Sequence, residues 1–337
     1  MPLDAARRLA LLNDWQHDFP LVRAPFARIA QSAGASEADV IAAYRDAAAA
    51  GALSRIGGVF DARAGGAGLL AAMAVPPERL AEVAAIVSAH PGVNHNYERE
   101  HAVNLWFVMT GPDAAAVEAS IVDIERASGL PVKRLPMTRV FRIDLGFDLH
   151  GALGDAGDRP RRARPAPCPV AGADEPLAAL AEVGLPLQPL PFDAWALATG
   201  HGVPEVLATL QRWLAAGTLR RFGTVVRHHE LGFAANAMTV FDVPAEQVEP
   251  MALALARDGA PTLIYERARA DGWPYNLYCM LHGRDRAVVT DTLAALMQRT
   301  GLHAMPHAVL FSRQRFKQRG ARRFAAAAAR RPDHAHA

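Results

Sequence analysis

Two histidines bracket a tyrosine in the segment NHNYEREHAVNLW (residues 94–106). If the segment is a β-strand, residues 95, 97, 99 and 101 fall on one face, because side chains alternate across a strand. His95, Tyr97, Arg99 and His101 would then stand together. Imidazoles titrate nearest neutrality and can hand over a proton, and a guanidinium grips a carboxylate. The same positions also read as ordinary polar residues on the wet face of an antiparallel sheet. A second phrase, TLIYERARADGWPYNLY (262–278), repeats the Tyr-Glu-Arg and the Asn-Leu-aromatic ending without a histidine. VVRHHELG (225–232) supplies Arg227, His228 and His229, and alternation along a strand would let at most one of the two histidines face a given site.

The elements that would position these groups come in two copies. FPLVRAPF (19–26) returns as LPLQPLPF (185–192), SRIGGVF (54–60) as RRFGTVV (220–226), and NLWFVMTG as NLYCMLHG. The offset drifts only between such phrases, as insertions in the loops of a duplicated fold would make it do. In the first copy, helical spacing runs over 4–18, 25–33 and 37–50, with Ser36 as N-cap of the third helix. A short hairpin is expected around SRIGGVFD, then strand 69–75, a helix, strands near 93–98 and 103–111, a helix, and a final strand 132–143. The fold class is therefore α+β: two tandem copies of a winged helix-turn-helix followed by a ferredoxin-like β-α-β-β-α-β unit. The boundaries read 1–62 and 63–150 for the two parts of the first copy, 151–173 for a Pro/Gly/Arg-rich linker, 174–230 and 231–323 for the second copy, and 324–337 for a tail. This order of elements resembles the Lrp/AsnC architecture.

Bulk properties narrow the field. The 337 residues are 51% hydrophobic, enough for cores of ordinary size, and the net charge of +2 names no partner. Lys133 and Lys317 are the only lysines, so almost every cation is an arginine, suited to bidentate grip on carboxylates. Cys168 and Cys279 match no disulfide or metal framework, and the N-terminus has no signal-peptide pattern; a cytoplasmic location is expected. No apolar run approaches the roughly 18 residues that span a bilayer. DNA binding is disfavoured: the candidate recognition helices EADVIAAYRDAAAAGAL (37–53) and VPEVLATLQRWLAAGTL (203–219) carry few polar or basic groups. The stretch 313–323 holds six basic residues and no acid, read here as a ligand-facing strand edge followed by a solvated end.

GVNHNYEREHAVNLWFV, LPMTRVFRIDLGFDL, RRFGTVVRHHELGFAANAM and DGWPYNLYCMLHGR together resemble the siroheme decarboxylase family, over about nine-tenths of the chain. The fused pair of copies is similar to the arrangement in heme d1 biosynthesis; ordinary heme synthesis by the alternative route uses the same step. The resemblance implies loss of the C12 and C18 acetate carboxyls of siroheme to give 12,18-didecarboxysiroheme, with no cofactor beyond the iron the substrate carries. It implies catalytic roles for His95, Tyr97, His101 and His228, the last because Arg227–His228 stands where the family has its Arg-His. Either His95 or His228 could ligate the siroheme iron. Substrate binding falls to Arg55, Arg99, Arg221, Arg227, Tyr265, Arg267, Trp273, Tyr275, Arg315 and Lys317, with Trp273, Tyr275 and Tyr278 forming an apolar wall. His282, His303 and His307 are assigned structural roles. One departure stands out: family members often have a histidine before the second Tyr, where this chain has Thr262-Leu263-Ile264. Implied partners are siroheme, its didecarboxylated product, a second fused chain in a homodimer and other heme d1 biosynthesis proteins, with no membrane and no nucleic acid. Two other readings compete: a ligand-responsive transcription regulator and a non-catalytic tetrapyrrole-binding protein.

Overall fold

The computed structural model describes residues 3–143, 149 and 167–324. The first copy runs α1 (Ala5–Asn13), α2 (Pro25–Ala33), α3 (Glu37–Ala49), β1 (Leu53–Phe60), β2 (Ala67–Met73), α4 (Leu80–Ala89), β3 (Val93–Arg99), β4 (Leu105–Gly111), α5 (Ala114–Ser128), β5 (Lys133–Leu135) and β6 (Met137–Ile143). The second runs α6 (Glu175–Val183), α7 (Pro191–Thr199), α8 (Val203–Ala215), β7 (Leu219–Val226), β8 (Ala235–Phe241), α9 (Ala245–Asp258), β9 (Leu263–Arg267), β10 (Leu277–Gly283), α10 (Arg286–Thr300) and β11 (His307–Gln318). The punctuation is local. Pro25 and Pro191 open α2 and α7, where a missing N–H costs nothing, and Gly34 and Gly200 close them in the left-handed region. Ser36 caps α3 by accepting the Asp39 N–H at 3.1 Å.

The SRIGGVFD hairpin does not form. Each copy contributes one strand, and β1 pairs antiparallel with β7 across the duplication, Gly57 opposite Gly223. A Cβ at Gly223 would collide with the carbonyls of Trp15 and Gln16, and one at Gly57 with that of Ala181. Gly57 and Gly223 are thus close-approach positions that let α6 and the segment after α1 seat on the ribbon. Phe26, Tyr44, Phe192, Trp195 and Phe222 lie in one core shared by both helical units.

The other strands form one nine-stranded sheet, ordered β5-β2-β4-β3-β11-β8-β10-β9-β6. Its outermost strands are successive in sequence, with only Pro136 between β5 and β6. The sheet therefore curls until its edges meet around an interior of Ala72, Trp106, Met238, Val240, Trp273 and Leu310. Both final strands change partners. β11 pairs first with β8 of its own copy and then with β3 of the other. The 133–143 strand pairs with β2 and, past Pro136, with β9. Proline has no N–H to donate, which suits the crossing point.

The repeated Tyr-Glu-Arg…Asn-Leu phrase holds these crossings. Arg99 Nη1 donates to the Leu310 carbonyl at 3.0 Å, and Arg267 Nη1 donates to that of Leu135 at 2.6 Å, each on the strand arriving from the other copy. Asn104 bonds both the N–H and the carbonyl of Val75, and Asn276 does the same to Val243. The described end of the chain packs back onto the protein, with Arg322 exposed. The Arg319 N–H donates to Asn94, those of Arg323 and Phe324 donate to the Glu182 carboxylate, and Phe324 is buried against Phe60. The greater part of the linker (through residue 166) and the tail from 325 lie outside the described residues.

Removing one latch should loosen the whole barrel. Arg267→Ala, which strips a charged donor from a part-buried carbonyl, is expected to lower unfolding free energy by about 2 kcal/mol, read by urea denaturation. An unchanged midpoint would deny the latch its role.

Candidate active site

Along β3, Asn96 faces α4, donating to the Ala84 carbonyl and to Ser88 Oγ, both at 3.0 Å. His95, Tyr97 and Arg99 therefore face the barrel interior, as the alternation predicts. The His95 and Tyr97 rings stack at 6.3 Å and 16°, and Arg99 Cζ lies 5.9 Å from the Tyr97 centroid. Arg315 on β11 sits opposite Tyr97, with Gln318 opposite His95. Arg315 pairs with Glu230 and donates to Gln318 Oε1 at 3.1 Å. Arg55 reaches in from β1, donating to the Gly58 carbonyl at 3.1 Å, and its guanidinium lies against Gly320, where a Cβ would force it to shift.

The electrostatics are lopsided. Burial pushes the His95 imidazole down to about 4, helped by the neighbouring Arg55 charge. Arg55 is itself lowered to about 10 by burial, against the pull of Glu182 and with Arg322 adding to the repulsion. Arg99 falls to about 10 for the same first reason, with only the Tyr265 and Tyr97 phenols opposing it. The phenol of Tyr97 is raised by burial, opposed by Arg99 and Arg315. A buried cation without an anion is costly. The pocket is built to gain from a ligand that brings carboxylates.

Several anticipated residues stand elsewhere. His101 is not on the face of β3, because the strand ends at Arg99. It sits in the following turn, accepting the Val103 N–H at 2.9 Å and meeting Trp273 edge-on at 5.2 Å. Trp273 is fully buried, bonded to the Tyr278 hydroxyl at 2.7 Å and packed on Trp106 and Tyr275, so the supposed apolar wall is core between the copies. Lys317 comes after a bulge that turns it to the outer face, where it donates to the Ser88 and His90 carbonyls at the end of α4. Arg221 is buried and spans the carbonyls of Gln16 and Thr224. Arg227 donates to the Gly51 carbonyl at 2.8 Å. Tyr265 stacks on Tyr278, with Arg267 over its ring at 4.6 Å. Residues 228–231 form a 3₁₀ turn, so strand alternation does not apply there, and the His228 side chain lies outside what is described. Arg139 and Arg142 engage Glu249 and the Ala256 carbonyl on α9. Sequence reasoning missed Gln318 and the approach of Arg322 to Arg55, which no local pattern marks.

The one arginine of α3, Arg45, is bound to the Leu187 carbonyl at 2.7 Å, and Arg212 of α8 is paired with Asp174 at 3.0 Å. Among the described residues there is no cluster of three metal-ligating side chains, and no helix long and apolar enough to cross a membrane.

Neutral His95 also makes a stability statement. Its folded value lies below the usual 6.5, so the unfolded chain binds the extra proton first and stability falls as pH drops from about 6.5 toward 4. The ligand-free protein should melt earlier at pH 4.5 than at pH 7, and His95→Gln should flatten that dependence. Parallel curves for the two proteins would contradict the buried imidazole.

Comparison with known proteins agrees with this architecture. A model described as the AsnC-like ligand binding domain matches residues 63–142 and 230–317, and one described as the siroheme decarboxylase NirDL-like HTH domain matches residues 9–53. The siroheme decarboxylase NirDL subunit of Paracoccus pantotrophus is 43% identical over 93% of this chain and 96% of its own. The crystal structure of the siroheme decarboxylase NirDL superposes with a TM-score of 0.67 at 25% identity, covering 95% of this chain and 94% of that one. Its co-complex with an iron-uroporphyrin III analogue superposes at 0.66. The chain belongs to the siroheme decarboxylase NirDL family.

Proposed function

We propose that this chain decarboxylates siroheme, removing the C12 and C18 acetate carboxyls to give 12,18-didecarboxysiroheme for heme d1 synthesis. The supporting observation is the pairing of His95 and Tyr97 with the half-buried Arg55 and the buried Arg99 on one interior surface. In each step the bond between the acetate methylene and its carboxylate breaks and CO₂ leaves. The electron pair stays on the methylene carbon, where the conjugated macrocycle delocalises it, and a proton converts that carbon to a methyl group. No cofactor of the chain's own is needed, because the ring is the electron sink.

His95 is the proton donor in this reading. It is neutral in the empty pocket, and carboxylates arriving beside it offset the Arg55 charge and raise its affinity for a proton. The ligand thus loads the acid that will quench its own carbanion. Tyr97 fixes the imidazole plane by stacking, while Arg55 and Arg315 hold carboxylates that stay. His95 could alternatively ligate the siroheme iron. The two free cysteines fit a reducing cytoplasm, and association of two fused chains remains part of the proposal.

Anaerobic incubation of the purified protein with siroheme, followed by mass spectrometry of the pigment, should show loss of two CO₂. His95→Gln is expected to slow turnover by about 100-fold while still binding pigment. Full activity in His95→Gln would remove the proposed acid, and a Soret shift without mass loss would favour a carrier.

A further inference from the structure

The floor of the pocket crosses into the second copy. Ser312 pairs with Arg99 between β11 and β3. It comes directly after Phe311, which pairs with Ala237 of β8, so Ser312 stands beside Asn236. Asn236 pairs in turn with His282 on β10. Leu310, Met238 and Met280, each two residues away on the same strands, line the barrel interior, so these polar groups face inward too. Arg99, Ser312, Asn236 and His282 therefore form one row across four strands. Arg99 Nε, Ser312 Oγ and Asn236 Oδ1 are all buried without a hydrogen-bond partner. Three such atoms in register are rare in a finished core, where leaving each unmet is costly.

The duplication supplies its own control. The equivalent row starts at Arg267, which pairs with Met137. Met137 lies two residues past Leu135, the partner of Leu70, and so stands beside Gly68, which pairs with Thr110. A thioether and a bare backbone replace the hydroxyl and the amide. Opposite Tyr265 stands Val140, where Tyr97 has Arg315, and Leu263 takes the place of His95. Both rows begin at an arginine, but the hydroxyl, amide, guanidinium and imidazole of Ser312, Asn236, Arg315 and His95 are replaced by Met137, Gly68, Val140 and Leu263.

We infer that Arg99, Ser312 and Asn236 form a carboxylate-holding subsite at the floor of a single one-sided pocket, so that each fused chain takes one tetrapyrrole. This rests on the siroheme reading above. A carboxylate accepts from the guanidinium and from the Ser312 hydroxyl. Turning the Asn236 amide, whose two ends are nearly isosteric, presents its Nδ2 as a third donor. His282 backs the row from β10, its Nδ1 2.9 Å from Thr262 Oγ1.

The test is anaerobic titration with siroheme followed by Soret absorbance, on the full chain and on variants checked for an intact melting transition. The wild type should saturate at one siroheme per chain. Ser312→Ala alone and Ser312→Ala with Asn236→Leu should weaken binding progressively, the double variant by roughly tenfold or more. Met137→Ala in the apolar row should bind within about twofold of wild type, as the fold-change expected of a residue that meets no ligand. Two sirohemes per chain, or wild-type affinity in a well-folded double variant, would overturn the subsite while leaving the decarboxylase reading intact. A wild type that takes up no siroheme would overturn both.

Discussion

Two strands that leave their own copies to pair with the other are held by a buried and a half-buried guanidinium, and the interior surface depends on that exchange. Arg99 and Arg267 each reach the carbonyl of the incoming strand. Because β11 runs from β8 to β3, residues of both copies come to lie on one continuous interior surface. Two unexchanged modules would face each other only through surface side chains, and no row could cross from Arg99 to His282.

Duplication makes a symmetric frame, and substitution makes it functional on one side. The latches, the asparagine clamps and the paired glycines recur in both copies, so they belong to architecture. The chemistry lies where the copies differ. His95, Arg315 and Ser312 face apolar counterparts at Leu263, Val140 and Met137. Arg55 and Arg99, held away from water without full compensation, give this side a positive interior that a many-acid pigment would neutralise. The His95 imidazole is depressed first by burial, and the Arg55 charge adds to it.

Much of this was legible in the sequence, and the failures are instructive. Helical spacing and the Ser36 cap located α2 and α3, because those signals are local, and the internal repeat carried them to α7 and α8. Period-two alternation placed His95, Tyr97 and Arg99 on one face for the same reason. It failed one step later at His101, where the strand stops, and at His228, where a 3₁₀ turn replaces the strand. The arginines were the least legible. Arg221, Arg227 and Arg267 resemble anion grips in sequence but direct their donors to backbone carbonyls, a choice fixed only by long-range packing. Trp273 and Lys317 were misplaced for related reasons: a buried aromatic reads like a binding wall, and a β-bulge reverses the face of the residues beyond it.

On the proposed reading, the His95 imidazole is neutral when the site is empty and gains its proton from the arrival of carboxylates. NMR titration of ¹⁵N-histidine-labelled protein reads that directly, with and without metal-free sirohydrochlorin as a diamagnetic ligand. His95 should titrate near pH 4 alone and at least about one unit higher with the ligand bound. A His95 resonance that titrates near its ordinary value in the empty protein, or that does not move on binding, would contradict the account.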